Sequence, residues 1–216
     1  MVKNNWNEVY KKGGIFEYYD MLKPHPHMAH VITLFKNRKI KKVLDIGCGL
    51  GNNLIPLMEN GFDVAGIDVS ADAIQKFKKS LDKIHKKIPL KIGSFEKLPY
   101  KNEEFDGIIC IQTLTHGKTK DIEKGVKEIL RVLRKGGIVF LTLPGRIAKG
   151  EVRYCLVKTA TKIEDRVYVP TIGSEIGIPH FIFSKSVIRS LFKKSRIEEV
   201  GRDYMDYYSV IISKRG

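Results

Sequence analysis

The stretch Val43-Leu44-Asp45-Ile46-Gly47-Cys48-Gly49-Leu50-Gly51 decides the architecture, because a short apolar run passes directly into three alternate glycines and a helical pattern follows. Glycines at such a turn let the backbone reverse sharply and come within contact distance of a ligand, and the helix start offers unpaired N–H groups. A dinucleotide fingerprint of the GxGxxG type needs glycine at position 52, where the chain has Asn52. The spacing is therefore GxGxG, with an acid, Asp45, two residues ahead of it. A carboxylate there repels a pyrophosphate and suits a ligand with a positive ammonium and sulfonium.

Working outward, hydrophobic runs and periodic polar segments alternate from about Lys41, the pattern of a parallel sheet with helices on its faces. Strands are predicted at Lys42–Ile46, Phe62–Ile67, Pro89–Gly93, Phe105–Ile111 and Ile138–Leu143. Helices are predicted at Gly51–Asn60, after Ser70 as N-cap, and at Asp121–Leu133. The helix after Ser70 carries one apolar stripe, Ile74, Phe77, Leu81, Ile84 and Ile88, and the pair Gly136-Gly137 reads as the C-cap of the next. The rhythm then breaks: residues 145–180 are polar and basic, and an insertion this long suggests a lid. Ser184 caps a short helix, and Arg196–Gly201 with Tyr207–Ser213 form a candidate antiparallel hairpin. The first 40 residues read as a helical cap with aromatic anchors.

A second acid, Asp68, closes the second strand about 20 residues beyond the glycines, where a carboxylate accepts from both ribose hydroxyls. With these residues in place the chain resembles the class I S-adenosylmethionine-dependent methyltransferases. The segments that carry the resemblance are VLDIGCGLGNN (43–53), GIDVS (66–70), GSFEKLPYKNEEFDGIICIQTLTH (93–116) and EILRVLRKGGIVFLTLP (128–144). It implies a doubly wound, Rossmann-like α/β fold. The sheet would have seven strands, mostly parallel with a C-terminal antiparallel hairpin, and helices on both faces, in one domain over residues 1–216. It also implies S-adenosyl-L-methionine as cofactor. Gly47, Gly49 and Gly51 would lie against its methionine part, Asp45 would hold the amino group and Asp68 the ribose. Val69 would cover one adenine face, Ser94 and Phe95 its edge, and the backbone at Ile111 would meet the ammonium. Where many relatives carry Asp, this chain has Ser94, and either Ser94 or Glu96 would serve the adenine amine.

The methyl acceptor of a doubly wound enzyme sits outside the carboxyl ends of the strands. That places Gln112, Thr113, His116 and the lid near it. His116 is the candidate general base, needed if the acceptor arrives protonated. His25, His27, His180, Tyr19, Tyr154 and Tyr168 are candidate acceptor contacts. No metal is expected: Pro24–His30 is rich in histidine, yet its prolines favour an extended segment without Cys or carboxylate at ligand spacing.

The formal charge is +15, from 39 Lys and Arg against 24 Asp and Glu in 216 residues. Nine lysines fall between Lys76 and Lys101, mostly off the apolar stripe of the second helix, as a solvated face would be. Arg146, Lys149, Arg153, Lys158, Lys162 and Arg166 in the lid are closer to the acceptor and suit an anion. The expected reaction is methyl transfer to a small molecule by a monomer or homodimer. An RNA or ribosome-associated methyltransferase, favoured by charge, and a non-catalytic cofactor-binding module are the rivals. A content of 43% hydrophobic residues in clustered runs excludes disorder, and no apolar run reaches the roughly 20 residues of a membrane span. Three dispersed cysteines, Cys48, Cys110 and Cys155, suggest neither disulfides nor zinc and make a reducing cytoplasm the expected compartment.

Overall fold

In a computed structural model the described residues are 5–12, 23–145 and 159–216. Two helices, α1 (Asn5–Lys12) and α2 (Met28–Asn37), precede β1 (Lys42–Ile46). The core continues as α3 (Leu54–Glu59), β2 (Asp63–Asp68), α4 (Ala71–Lys83), β3 (Leu90–Ile92), β4 (Phe105–Ile111), α5 (Thr119–Val132) and β5 (Leu133–Leu143). After the lid strands β6 (Ala160–Glu164), β7 (Val167–Pro170) and β8 (His180–Phe181) come α6 (Lys185–Leu191), β9 (Ser195–Arg202) and β10 (Tyr208–Lys214).

The main sheet has seven strands in the order β3-β2-β1-β4-β5-β10-β9. β1, β2, β3, β4 and β5 run parallel, while β10 pairs antiparallel with both β5 and β9. Strand order reverses between β1 and β4, so the two chain segments leaving their carboxyl ends diverge and open a crevice at Gly47 and Gln112. β1 and β4 are buried on both faces: Val43, Leu44, Ile108 and Ile109 have no exposed surface. One apolar layer gathers Phe105, Ile122, Val126 and Ile129, the other Phe35, Leu54, Leu57 and Phe77. No described helix is long and apolar enough to cross a membrane.

The caps follow their chemistry. Ser70 accepts from the Ala73 N–H and Ser184 from the Val187 N–H, each at a helix start, contacts worth about 1 kcal/mol apiece. Four elements depart from the expectation. α3 begins at Leu54 because Gly51 sits at φ 84, outside the helical region, and a turn intervenes. α4 ends at Lys83, and His85 at φ 53 breaks the stripe, leaving Ile84 48% exposed. Gly136 and Gly137 do not cap α5. Leu133 is fully buried, turns the chain extended at ψ 130, and the glycines form a bulge within β5 with Gly136 at φ 72. Pro24–His30 is not extended: the chain turns at His25–His27 and enters α2 at Met28.

Residues 159–181, the described part of the expected lid and its end, are less irregular than their composition suggests, since β6, β7 and β8 form a separate antiparallel sheet. Two hydrogen bonds of 2.8 Å bind it to the loop after β4: the Phe181 N–H donates to the Thr115 carbonyl, and the Thr115 hydroxyl donates to the Phe181 carbonyl.

Candidate functional site

One cavity runs along the crevice at the switch point. At one end it is lined by Ile46, Gly47, Asp68, Val69, Ser94 and Phe95, at the other by Gln112, Thr115, His116, Glu175, Pro179 and Tyr207. Trp6 and Tyr10 of α1 cover it. The cap is held there by α4: Lys76 donates to the Tyr10 carbonyl at 2.7 Å, and the Ser70 hydroxyl donates to Asn7 Oδ1 at 2.8 Å.

The glycine turn divides its labour. A Cβ on Gly47, which has φ 78, would meet the Thr113 side chain at 2.0 Å, so the cavity floor closes only around a bare backbone. Gly51 instead faces inward, where a Cβ would meet the Phe77 ring of α4 at 1.9 Å. Its task is packing the turn against α4, and neither Gly51, Gly49 nor Asp45 is on the cavity lining.

Asp68 is buried and already ordered: Oδ2 accepts from the Gly49 N–H and Oδ1 from the Ser70 N–H, both at 2.8 Å. Those bonds aim it into the cavity rim and leave lone pairs for ribose hydroxyls. Burial pushes its pKa up, and the backbone donors oppose that shift. Asp45 differs, because both its carboxylate oxygens are buried without a hydrogen-bond partner among the described residues. Burial, then the nearby Asp68 charge, raises its pKa well above the usual carboxylate range. An unpaired buried carboxylate costs free energy that a positively charged ligand group would return. These residues fit a cofactor with an ammonium and a ribose: Asp45, set behind the lining, would act on the first through its charge rather than by direct contact, Asp68, on the lining, would accept from the second, and Gly47 leaves room.

At the adenine end, Val69, Ser94, Phe95 and Glu96 all line the cavity. Ser94 Oγ lies 3.3 Å from Glu96 Oε1, so the two form one polar edge. Ile111 lines the cavity, and its carbonyl accepts from the Thr113 hydroxyl at 3.0 Å. Gln112 adopts φ 53, a conformation held by its N–H bond to Thr142 Oγ1 and by its side-chain contact to Met205 Sδ. Such strain for a non-glycine residue gathers where geometry serves a site.

At the acceptor end, the His116 ring stands edge-on to Trp6 at 4.6 Å and to His180 at 4.9 Å. Burial, then His180, holds its pKa down to about 3. An imidazole of such weak basicity is neutral near pH 7 and takes up a proton poorly there. Glu175, absent from the sequence reading, lies 3.0 Å from His180 Nε2. Burial raises its pKa, but His180 and His116 outweigh that and keep it below the ordinary value. A lone Glu in a loop of mixed polarity carries no signal of this partnership.

His25, His27, Tyr168 and His180 lie off the lining, His180 reaching it only through Glu175 and His116. His25 is buried against Asp203 at 3.2 Å, and Asp203 also accepts from the Met205 and Tyr207 N–H groups, so this histidine ties the N-terminal segment to the β9–β10 loop. His27 stacks on Phe140, and Tyr168 packs against Ile182 and Tyr207. Tyr19 and Tyr154 fall outside the described residues, as do Arg146, Lys149, Arg153 and Lys158.

A model described as a methyltransferase domain matches residues 43–137. A ubiquinone biosynthesis O-methyltransferase of Pelagibacter ubique is 36% identical over 111 residues, covering 51% of this chain and 45% of that protein. A tRNA N(3)-methylcytidine methyltransferase of Drosophila melanogaster is 23% identical, covering 74% and 49%. The chain thus spans about half the length of these curated relatives or less. A solved structure from Pyrococcus horikoshii OT3 superposes with a TM-score of 0.68 at 25% identity, covering 85% of this chain and 86% of that one. The chain has the class I methyltransferase fold, and its residues 43–137 are a methyltransferase domain of the S-adenosylmethionine-dependent class.

Proposed function

We propose that the protein transfers a methyl group from S-adenosylmethionine to a small-molecule acceptor held under α1 and the lid. The observation that carries this reading is the single cavity that joins the Asp68 end to the His116 end beneath Trp6 and Tyr10. When bound, the cofactor supplies a methyl group already activated on a sulfonium, so the protein's work is alignment and exclusion of water. Asp68, Val69, Ser94 and Phe95 hold the nucleoside, while Asp45 balances the ammonium. Gln112, His116, Tyr207 and Trp6 shape the space beyond.

The charge of this space bears on the acceptor. Among the described lining residues outside the cofactor end two are carboxylates, Asp121 and Glu175, against one lysine, Lys118. That supports a neutral or cationic acceptor, or one bound through a cation, over an anion. Several basic side chains make internal contacts: Lys76 holds α1, Lys42 pairs with Glu104, Arg131 with Glu128 and Lys214 with Glu103. The RNA reading keeps one specific support, the tRNA methyltransferase relative that aligns over 74% of this chain.

Incubation with methyl-labelled cofactor and either a panel of phenols and amines or bulk tRNA separates the readings. Label in a small molecule is expected. Label confined to tRNA would overturn the small-molecule reading, and none in either would favour a binding module.

A further inference from the structure

The acceptor end holds a side-chain cluster that methyl transfer alone does not require. His116 on the loop after β4 is half-buried, and Glu175 and His180 on the lid are buried. One donor atom from each lies within 4.8 Å of the other two. The imidazoles meet at 85°, and the closest donor pair, Glu175 Oε2 and His180 Nε2, stands at 3.0 Å. The carboxylate and the ring thus converge on a common point.

We propose that His116, Glu175 and His180 bind one divalent first-row transition metal ion of the Zn2+ type, whose open coordination position takes an oxygen or nitrogen of the methyl acceptor. The inference rests on the methyl-transfer reading for the acceptor, but the ion site stands on the ligands alone.

Three observations converge. The donor set, two imidazole nitrogens and one carboxylate oxygen, matches the preference of Zn2+ and its neighbours, and three protein ligands leave a position free, as in catalytic sites. Donors bound at about 2.0–2.1 Å around a tetrahedral ion stand roughly 3.3–3.5 Å apart. The widest pair here closes to that with a movement of roughly 1 Å, within reach of a side-chain rotation. The scaffold also brings the ligands together on purpose-built backbone: the paired hydrogen bonds between Thr115 and Phe181 set the neighbouring residues His116 and His180 side by side. Finally, outside the cofactor end the lining carries two carboxylates, Asp121 and Glu175, against one lysine, Lys118, which offers a dication a favourable field. An acceptor recognised this way carries a donor atom able to ligate the ion, such as a phenol or enol oxygen.

The test uses the chain's single tryptophan, Trp6, whose ring stands 4.6 Å from His116. Titration of the full chain with Zn2+, read by Trp6 fluorescence and by competition with a chelating dye, should show one ion per chain. Co2+ in its place should show visible absorption from a low-coordinate site. Glu175→Gln and His180→Ala should each weaken Zn2+ binding by about 100-fold or more, while S-adenosylhomocysteine affinity stays within about threefold. His116→Gln, at a less buried position, supplies a third variant should the lid variants unfold by circular dichroism. Binding well below one ion per chain, or Zn2+ affinity unchanged in the folded variants, would overturn the site. Failure of S-adenosylhomocysteine to bind the unaltered chain would instead remove the transfer reading, and the Zn2+ titration would still decide the ion site.

Discussion

The two ends of the cavity are made in different ways. The cofactor end comes from short, continuous segments: Ile46–Gly47 after β1, Asp68–Val69 after β2 and Ser94–Phe95 after β3, each set by its own strand end. The acceptor end is assembled from three remote pieces, Trp6 on α1, Gln112–His116 after β4, and Glu175, backed by His180, on the lid. Local chain geometry fixes the first, and tertiary docking through Lys76, Asn7 and Thr115 fixes the second. The contrast implies that damage to the glycine turn strikes folding, loss of a carboxylate at the cofactor end strikes binding, and damage at the acceptor end leaves cofactor binding intact.

The largest effect should come from Gly51→Val. The β-branched side chain combines φ 84 with a Cβ 1.9 Å from the Phe77 ring, and the fully buried Phe77 has nowhere to retreat. A loss of about 3–5 kcal/mol, seen as a collapse of the urea midpoint, is expected. An unchanged midpoint would show that the turn is not packed by α4 as described.

Asp45→Asn should separate stability from binding. A buried acid with a raised pKa binds its proton more tightly in the native state than in the unfolded chain, so the native state loses stability as pH rises past the ordinary carboxylate range. Removing the charge should raise Tm by about 2–6 °C near pH 7, an effect of roughly 1–2 kcal/mol in a chain of this size. S-adenosylhomocysteine should bind the variant about tenfold more weakly. In the unaltered chain the ligand ammonium favours the ionised carboxylate, so affinity should rise with pH through the acid range, by at most tenfold per unit. A variant that loses stability, or an affinity flat in pH, would remove Asp45 from the account.

Thr115→Val should have the smallest effect. It deletes one buried hydrogen bond between the β4 loop and the lid, costing about 1 kcal/mol and roughly 2–4 °C in Tm. S-adenosylhomocysteine affinity should not change. A loss of affinity beyond about threefold would mean that the two ends are coupled through the lid.

The same contrast explains what could be read in advance. β1 and β4 were legible because continuous apolar runs state a doubly buried strand, and Ser70 and Ser184 because an N-cap acts within its own turn. Asp68 was legible as a cavity residue because its position depends on a strand end. Gly51 has the right place in the motif but serves Phe77, a contact only the packed helix reveals. The lid sheet was not legible: β6 is largely exposed, Lys162 and Ile163 included, and lacks the apolar alternation of a half-buried strand. Glu175 was missed because its meaning lies wholly in His180 and His116, brought to it by the Thr115–Phe181 pairing rather than by spacing along the chain.

Calorimetric titration of the full chain with S-adenosylhomocysteine tests the central claim most directly. The account predicts one site per chain and a loss of about 30-fold or more in Asp68→Asn, which keeps the residue's shape while weakening the acceptors offered to the ribose hydroxyls. No binding to the folded chain, or equal binding to the variant, would contradict it.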